Sequence, residues 1–86
     1  MPRISLFYGI SIYMYYGDHA PPYLHAIYAE YESTVDIRTG TVISGQLPRR
    51  AAKLVEEWRA AHADELMDNW QRAEDGQPLN PIDPLE

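Results

Sequence analysis

Cysteine is absent from this 86-residue chain. That excludes disulfides, thiolate zinc sites and cysteine nucleophiles, and it fits a reducing compartment, so a cytoplasmic location is expected. Long apolar runs are missing too. No stretch approaches the roughly 20 residues a membrane-spanning helix needs. Met1-Pro2-Arg3 leads straight into strand-like sequence, without the apolar segment of a signal peptide. Basic residues are few, 7 against 13 acidic ones, for a formal net charge of −6. Phosphate backbones repel such a chain, which argues against broad nucleic-acid binding. The chain also lacks a glycine-rich phosphate loop, a nucleophile elbow, an HExxH pair and an EF-hand loop, so the kinase, hydrolase and calcium-sensor chemistries built on those motifs drop out.

What the chain does have is apolar residues, 45% of the total, and 7 tyrosines, enough for one small domain with a modest core. Domains of this size bury only about 60% of the surface of the unfolded chain, so a partner covering apolar surface would add substantially to stability.

Ile4, Leu6, Tyr8, Ile10, Ile12, Met14 and Tyr16 alternate with mixed residues. The period of two predicts one long strand with an apolar face, bent or bulged at Gly9. Gly17 to Pro22 reads as a loop. His25–Tyr31 and Glu32–Arg38 read as strands joined by a tight turn near Ala29-Glu30. Thr39-Gly40 is a second turn, and Thr41–Ser44 a fourth strand ended by Gly45. Pro48 suits a helix start. Ala51, Leu54, Val55 and Trp58, then Leu66, Trp70 and Ala73, recur at helical spacing with a change of phase near residues 61–64, where a kink or break is expected and Asp64 can cap a second helix. Pro78, Pro81 and Pro84 exclude helix from the acidic tail, where Leu79, Ile82 and Leu85 repeat every third residue and suit a groove. The expected fold is α+β: a four-stranded antiparallel meander, then a C-terminal helical segment (one kinked helix or two) on one sheet face. Residues 1–76 form the domain and 77–86 an extended Pro-rich tail.

Reactive groups concentrate in Asp18, His19, Tyr23 and His25. Imidazoles titrate near neutrality, so His19 and His25 can serve as general acid and base, with Asp18 beside them. Tyr23 or Tyr28 can orient a phosphate, and Arg49 or Arg50 can neutralise charge on a phosphoryl oxygen. Two histidines and a carboxylate can also hold a divalent metal. A purely architectural role is as concrete: Asp18 capping its turn, His19 bonding across the loop, His25 pairing across a strand. On that balance no cofactor and no metal is expected. Arg49, Arg50 and Lys53 oppose the dipole of the helix they begin, at a few tenths of a kcal/mol each. Trp58 and Trp70 are expected in the core, with His62 packed or capping. Tyr13, Tyr15, Tyr28 and Tyr31 can form an aromatic surface, and with the chain's negative charge a protein interface is the better expectation than single-stranded nucleic acid.

The series Phe7-Tyr8-Gly9-Ile10, Met14-Tyr15, Asp18-His19-Ala20-Pro21-Pro22-Tyr23-Leu24-His25-Ala26, Asp36-Ile37-Arg38-Thr39-Gly40, Leu47-Pro48-Arg49-Arg50-Ala51, Glu57-Trp58, Glu65-Leu66 and Asn69-Trp70 resembles the bacterial DUF4160 family, a domain of unknown function. The family's pattern has a third histidine after the paired prolines, where this chain has Tyr23. The resemblance implies no transferable reaction. It does imply a genomic setting in which such chains often lie beside another small protein, some of these with a helix-turn-helix. The expectation is an interaction protein in a toxin–antitoxin-like or regulatory pair. Its partner would be that neighbouring gene product, with a homodimer as an alternative, and without membrane contact. The alternative is a small ribonuclease or phosphodiesterase using the histidine pair, with or without a metal.

Overall fold

The computed structural model describes residues 2–17 and 21–86. Five strands, β1 (Arg3–Phe7), β2 (Ile10–Tyr13), β3 (Tyr23–Tyr28), β4 (Tyr31–Asp36) and β5 (Val42–Gln46), precede two helices, α1 (Arg49–Ala61) and α2 (Ala63–Glu74). The strands form one antiparallel meander in the order β1-β2-β3-β4-β5.

The sheet therefore has five strands, where alternation predicts four. The long first strand is a hairpin: Phe7 pairs with Ile10 across a two-residue turn at Tyr8-Gly9. Both turn residues have positive φ, 50° and 77°, the pattern of a type I′ turn whose twist matches the flanking strands. The fold-back changes which residues share a face. Phe7 lies with Ile10 in the core, while Leu6 and Tyr8 are exposed. A bulge between Arg3 and Ser5 lets Ile4 and Ser5 both be buried.

The turn between β3 and β4 falls at Ala29-Glu30, as expected, with Ala29 at φ 52°. β5 runs through Gly45 rather than ending there. Gly45 has φ 71°, and a Cβ at this position would run into the backbone carbonyl of Glu32, so only glycine allows the close pairing with β4.

The helices cover one face of the sheet. Ala51, Val55, Trp58, Leu66 and Trp70 form one core with Ile10, Ile12, Met14, Leu24, Val35 and Ile37, and Trp58 lies 5.2 Å from Phe7, centroid to centroid. His62 separates the helices, closing α1 and opening α2. No side chain caps α2. Asp64 lies inside its first turn and is not the cap, and the His62 Nδ1 is 2.6 Å from Glu65 Oε1.

Residues 77–86 contain neither helix nor strand. Ile82 is buried in the core, with Leu79 and Leu85 packed against it. The Ile82 N–H donates to the Ile4 carbonyl at 2.8 Å, so this segment runs along the outer edge of β1. The Asn69 side chain makes two bonds to the Asn80 backbone, at 2.8 and 2.9 Å. Trp58 Nε1 donates to the Asp83 carbonyl.

Candidate functional site

Alternation in the central strands sorts their side chains onto two faces. Ile10, Ile12, Leu24 and Ala26 point into the core. Their neighbours point the other way, and strand register aligns them in rows. One row runs Leu6, Ser11, Ile27, Glu32, Gln46, and the next Tyr13, His25, Thr34, Ser44.

His25 is the centre of an aromatic group on this face. Its ring lies edge-on to Tyr15 at 4.3 Å and to Tyr23 at 5.2 Å. Tyr15 stacks with Tyr13 at 6.3 Å, and Tyr23 packs on Trp70 at 5.4 Å where the sheet end meets α2. The rings thus run continuously from Tyr13 to Trp70. All except Trp70 are half-buried, and both ring nitrogens of His25 are shielded from solvent. The group presents ring faces and edges to its surroundings, with the His25 nitrogens turned away from solvent. Asp18 and His19 lie outside the described residues, so their relation to His25 is not described.

Tyr28 and Arg50 meet elsewhere. They line a cleft of about 260 Å³ with Tyr8, Ile10, Pro48, Ala51 and Leu54, between the β1–β2 turn and the start of α1. Tyr28 pairs with Ile10 and faces the helices, whereas His25, three residues earlier, faces away. Arg49 is exposed at the first position of α1. The structure therefore brings Tyr23 to His25 and Tyr28 to Arg50, and it puts these two pairs on opposite sides of the sheet.

Tyr8 is the cleft residue that sequence reasoning passed over. Its signal was the Tyr8-Gly9 dipeptide read as a two-residue turn instead of a bulge. Gly9 lies against the Tyr28 ring, which a Cβ would meet at 3.4 Å.

A third cluster joins β4 to α1. Asp36 accepts the backbone N–H groups of Arg38 and Thr39. The Thr39 bond, with Arg38 adding to it, holds the carboxyl below its usual range. Glu56 is held low by its hydrogen bond to Arg59, and Arg59 is raised in turn. Arg59 is buried, and sequence reasoning missed it. Its signal was a position four residues after Val55, on the apolar stripe, with a carboxylate three residues before it.

The family model for a domain of unknown function (DUF4160) matches residues 9–71. The match runs from the β1–β2 turn into the last turn of α2, and the chain belongs to this family. No curated protein and no solved structure matches the chain.

Proposed function

We propose, for this member of the DUF4160 family, that the chain is an interaction protein. It pairs in the cytoplasm with a second small protein in a toxin–antitoxin-like or regulatory module. One observation carries this: the sheet face opposite the core bears Leu6, Tyr13, His25 and Ile27, and the Tyr15 and Tyr23 rings extend it to the sheet end, where α2 lies against them. An open face of an antiparallel sheet is ordinarily polar. Rigid, half-exposed tyrosines supply large contact area at low entropic cost and are enriched where proteins meet. No described helix is long and apolar enough to cross a membrane, and the partner is taken to be a protein encoded nearby.

Hydrolysis by a histidine pair with an arginine clamp is less well supported. His25 and Arg50 belong to opposite faces, and the imidazole nitrogens are shielded. Co-expression with the neighbouring gene product and size-exclusion chromatography test the proposal. A co-eluting complex is expected, weakened about tenfold or more by the Tyr13→Ser/Tyr15→Ser double variant if these rings are interface anchors. Separate peaks at micromolar concentration would overturn it. Growth arrest that depends on His25, with no complex formed, would favour the hydrolytic alternative.

A further inference from the structure

In the cleft between the β1–β2 turn and the start of α1, two tyrosine rings and an arginine surround an apolar floor. Buried Ile10 and Ala51 form that floor, and Tyr8, Tyr28, Leu54 and Arg50 stand around it. The volume is about 260 Å³, just under the roughly 300 Å³ at which pockets for small molecules begin. The Tyr28 ring lies against Gly9, and Tyr8 is 57% exposed beside it.

Folding accounts for neither the ring nor the charge at this rim. Tyr8, at φ 50°, holds the first central position of a type I′ turn, where asparagine, aspartate or glycine is the relaxed choice. A bulky side chain is strained there, and a ring this exposed gains too little packing to offset the strain. Unrelieved strain of this kind gathers at binding sites. The charge is as unusual. In a chain of net charge −6, three of the seven basic residues, Arg49, Arg50 and Lys53, fall within five positions. Among the described residues none of the three has an ion-pair partner, whereas Arg59 and Arg72 are held by Glu56 and Asp68. The first turn of α1 has no acidic residue to neutralise them. The Tyr8 and Tyr28 hydroxyls also lack a protein partner among the described residues. Ring faces and unused donors thus converge on one cleft, and a positive spot on an acidic protein draws small anions to it.

We propose that this cleft binds a free small molecule consisting of one flat ring that bears a carboxylate or phosphate group. The ring packs on Tyr8 and Tyr28, whose faces and edges suit an aromatic partner. Arg50 takes the oxyanion, because its planar fork matches the two oxygens of a carboxylate or phosphate. A volume at the small end of the range suits a single ring with its charged group. The site lies across the sheet from the row of Tyr13 and His25 and goes beyond the function proposed above. Its occupancy needs no protein partner.

The test is a nuclear magnetic resonance titration of the full chain with phenyl phosphate and with benzoate. Phenol and inorganic phosphate serve as the two halves of the ligand. At least one whole probe is expected to bind about tenfold or more tighter than either half. Arg50→Gln weakens that binding about tenfold or more at unchanged circular dichroism, and Arg50→Lys restores only part of it. Tyr8→Asn gives the turn its relaxed Asn-Gly sequence, so the thermal midpoint holds or rises while binding weakens about three- to tenfold. A merely structural Tyr8 would give a lower midpoint instead. The Tyr13→Ser/Tyr15→Ser chain binds the probe as the wild type does, which separates failure here from failure of the tyrosine-face proposal. If neither probe shifts the resonances of the cleft residues at millimolar concentration, the inference is overturned. Inorganic phosphate bound as tightly as phenyl phosphate also overturns it, by reducing the cleft to an anion spot at a helix end. So does binding indifferent to both Tyr8→Asn and Arg50→Gln, or a phosphotyrosyl peptide that binds tenfold tighter than the free probes.

Discussion

The guanidinium of Arg59, on α1, donates through Nη1 to the backbone carbonyl of Ile37, just beyond β4, at 2.9 Å. Its other two bonds go to Glu56, Nε to Oε2 at 2.8 Å and Nη2 to Oε1 at 2.6 Å. One planar group thus ties helix to sheet and satisfies a carbonyl that the core would otherwise leave bare. Lysine cannot reproduce the fork. Arg59→Lys is expected to cost about 1–3 kcal/mol, read from urea midpoints. Glu56→Gln should cost less, because the Glu56 side chain is half-exposed and screened by water. Equal midpoints for wild type and Arg59→Lys would contradict the tie.

The same pair makes stability depend on acid. Glu56 is lowered chiefly by its bond from Arg59, and Asp36 chiefly by the Thr39 N–H. A carboxyl whose native pKa lies below its unfolded value contributes stability that is fully present above the unfolded value. That stability is lost as pH falls through the native one. Unfolding midpoints should therefore hold steady from neutral to mildly acidic pH and drop below the ordinary carboxylate range. In an Asp36→Asn/Glu56→Gln chain the acid-side slope should be visibly shallower.

Ala29 has φ 52°, where an L-residue with a Cβ is strained by roughly 1–2 kcal/mol. Ala29→Gly removes that strain at a turn whose side chain is exposed. The part of the gain that survives the extra freedom of glycine in the unfolded chain should be about 0.5–1 kcal/mol. Thermal unfolding at one protein concentration checks it. An unchanged or lower midpoint would show that the turn relaxes without glycine.

Asn69 holds the C-terminal residues by acting as both donor and acceptor to Asn80. Asn69→Asp keeps the acceptor but sets a carboxylate against the Asn80 carbonyl. It should cost more than the roughly 1 kcal/mol of one lost neutral hydrogen bond. Hydrogen exchange at the Ile82 amide should quicken in this variant while exchange in β3 remains slow. Uniform quickening would mean that the tail and the sheet open together.

Both helices and the change of phase between them were readable from spacing, because Val55, Trp58, Leu66 and Trp70 face one core. The first hairpin was not. In a run of alternating residues Gly9 is equally compatible with a bulge, and nothing local announces that Tyr8 will also take positive φ. The tyrosine face was half readable. Alternation puts Tyr13 and Tyr15 together, but their meeting with His25 depends on the β2–β3 register, which rests on pairing between distant residues. The separation of Tyr28 from His25 is the parity of a three-residue step along one strand, visible once β3 is known to be regular. Arg59 escaped notice because a charge on an apolar stripe reads as an exception until its carbonyl partner, 22 residues away, is known.

His62 is the whole of the connection between α1 and α2. The chain there has no slack in which to absorb a change of length. Each residue inserted or removed would rotate α2 by about 100° about its axis, taking Leu66 and Trp70 off the core and Asn69 away from Asn80. Natural insertions and deletions among relatives should accordingly accumulate at other connections and be missing at this one. A single-residue insertion library across the chain would record position 62 as one of its deepest gaps.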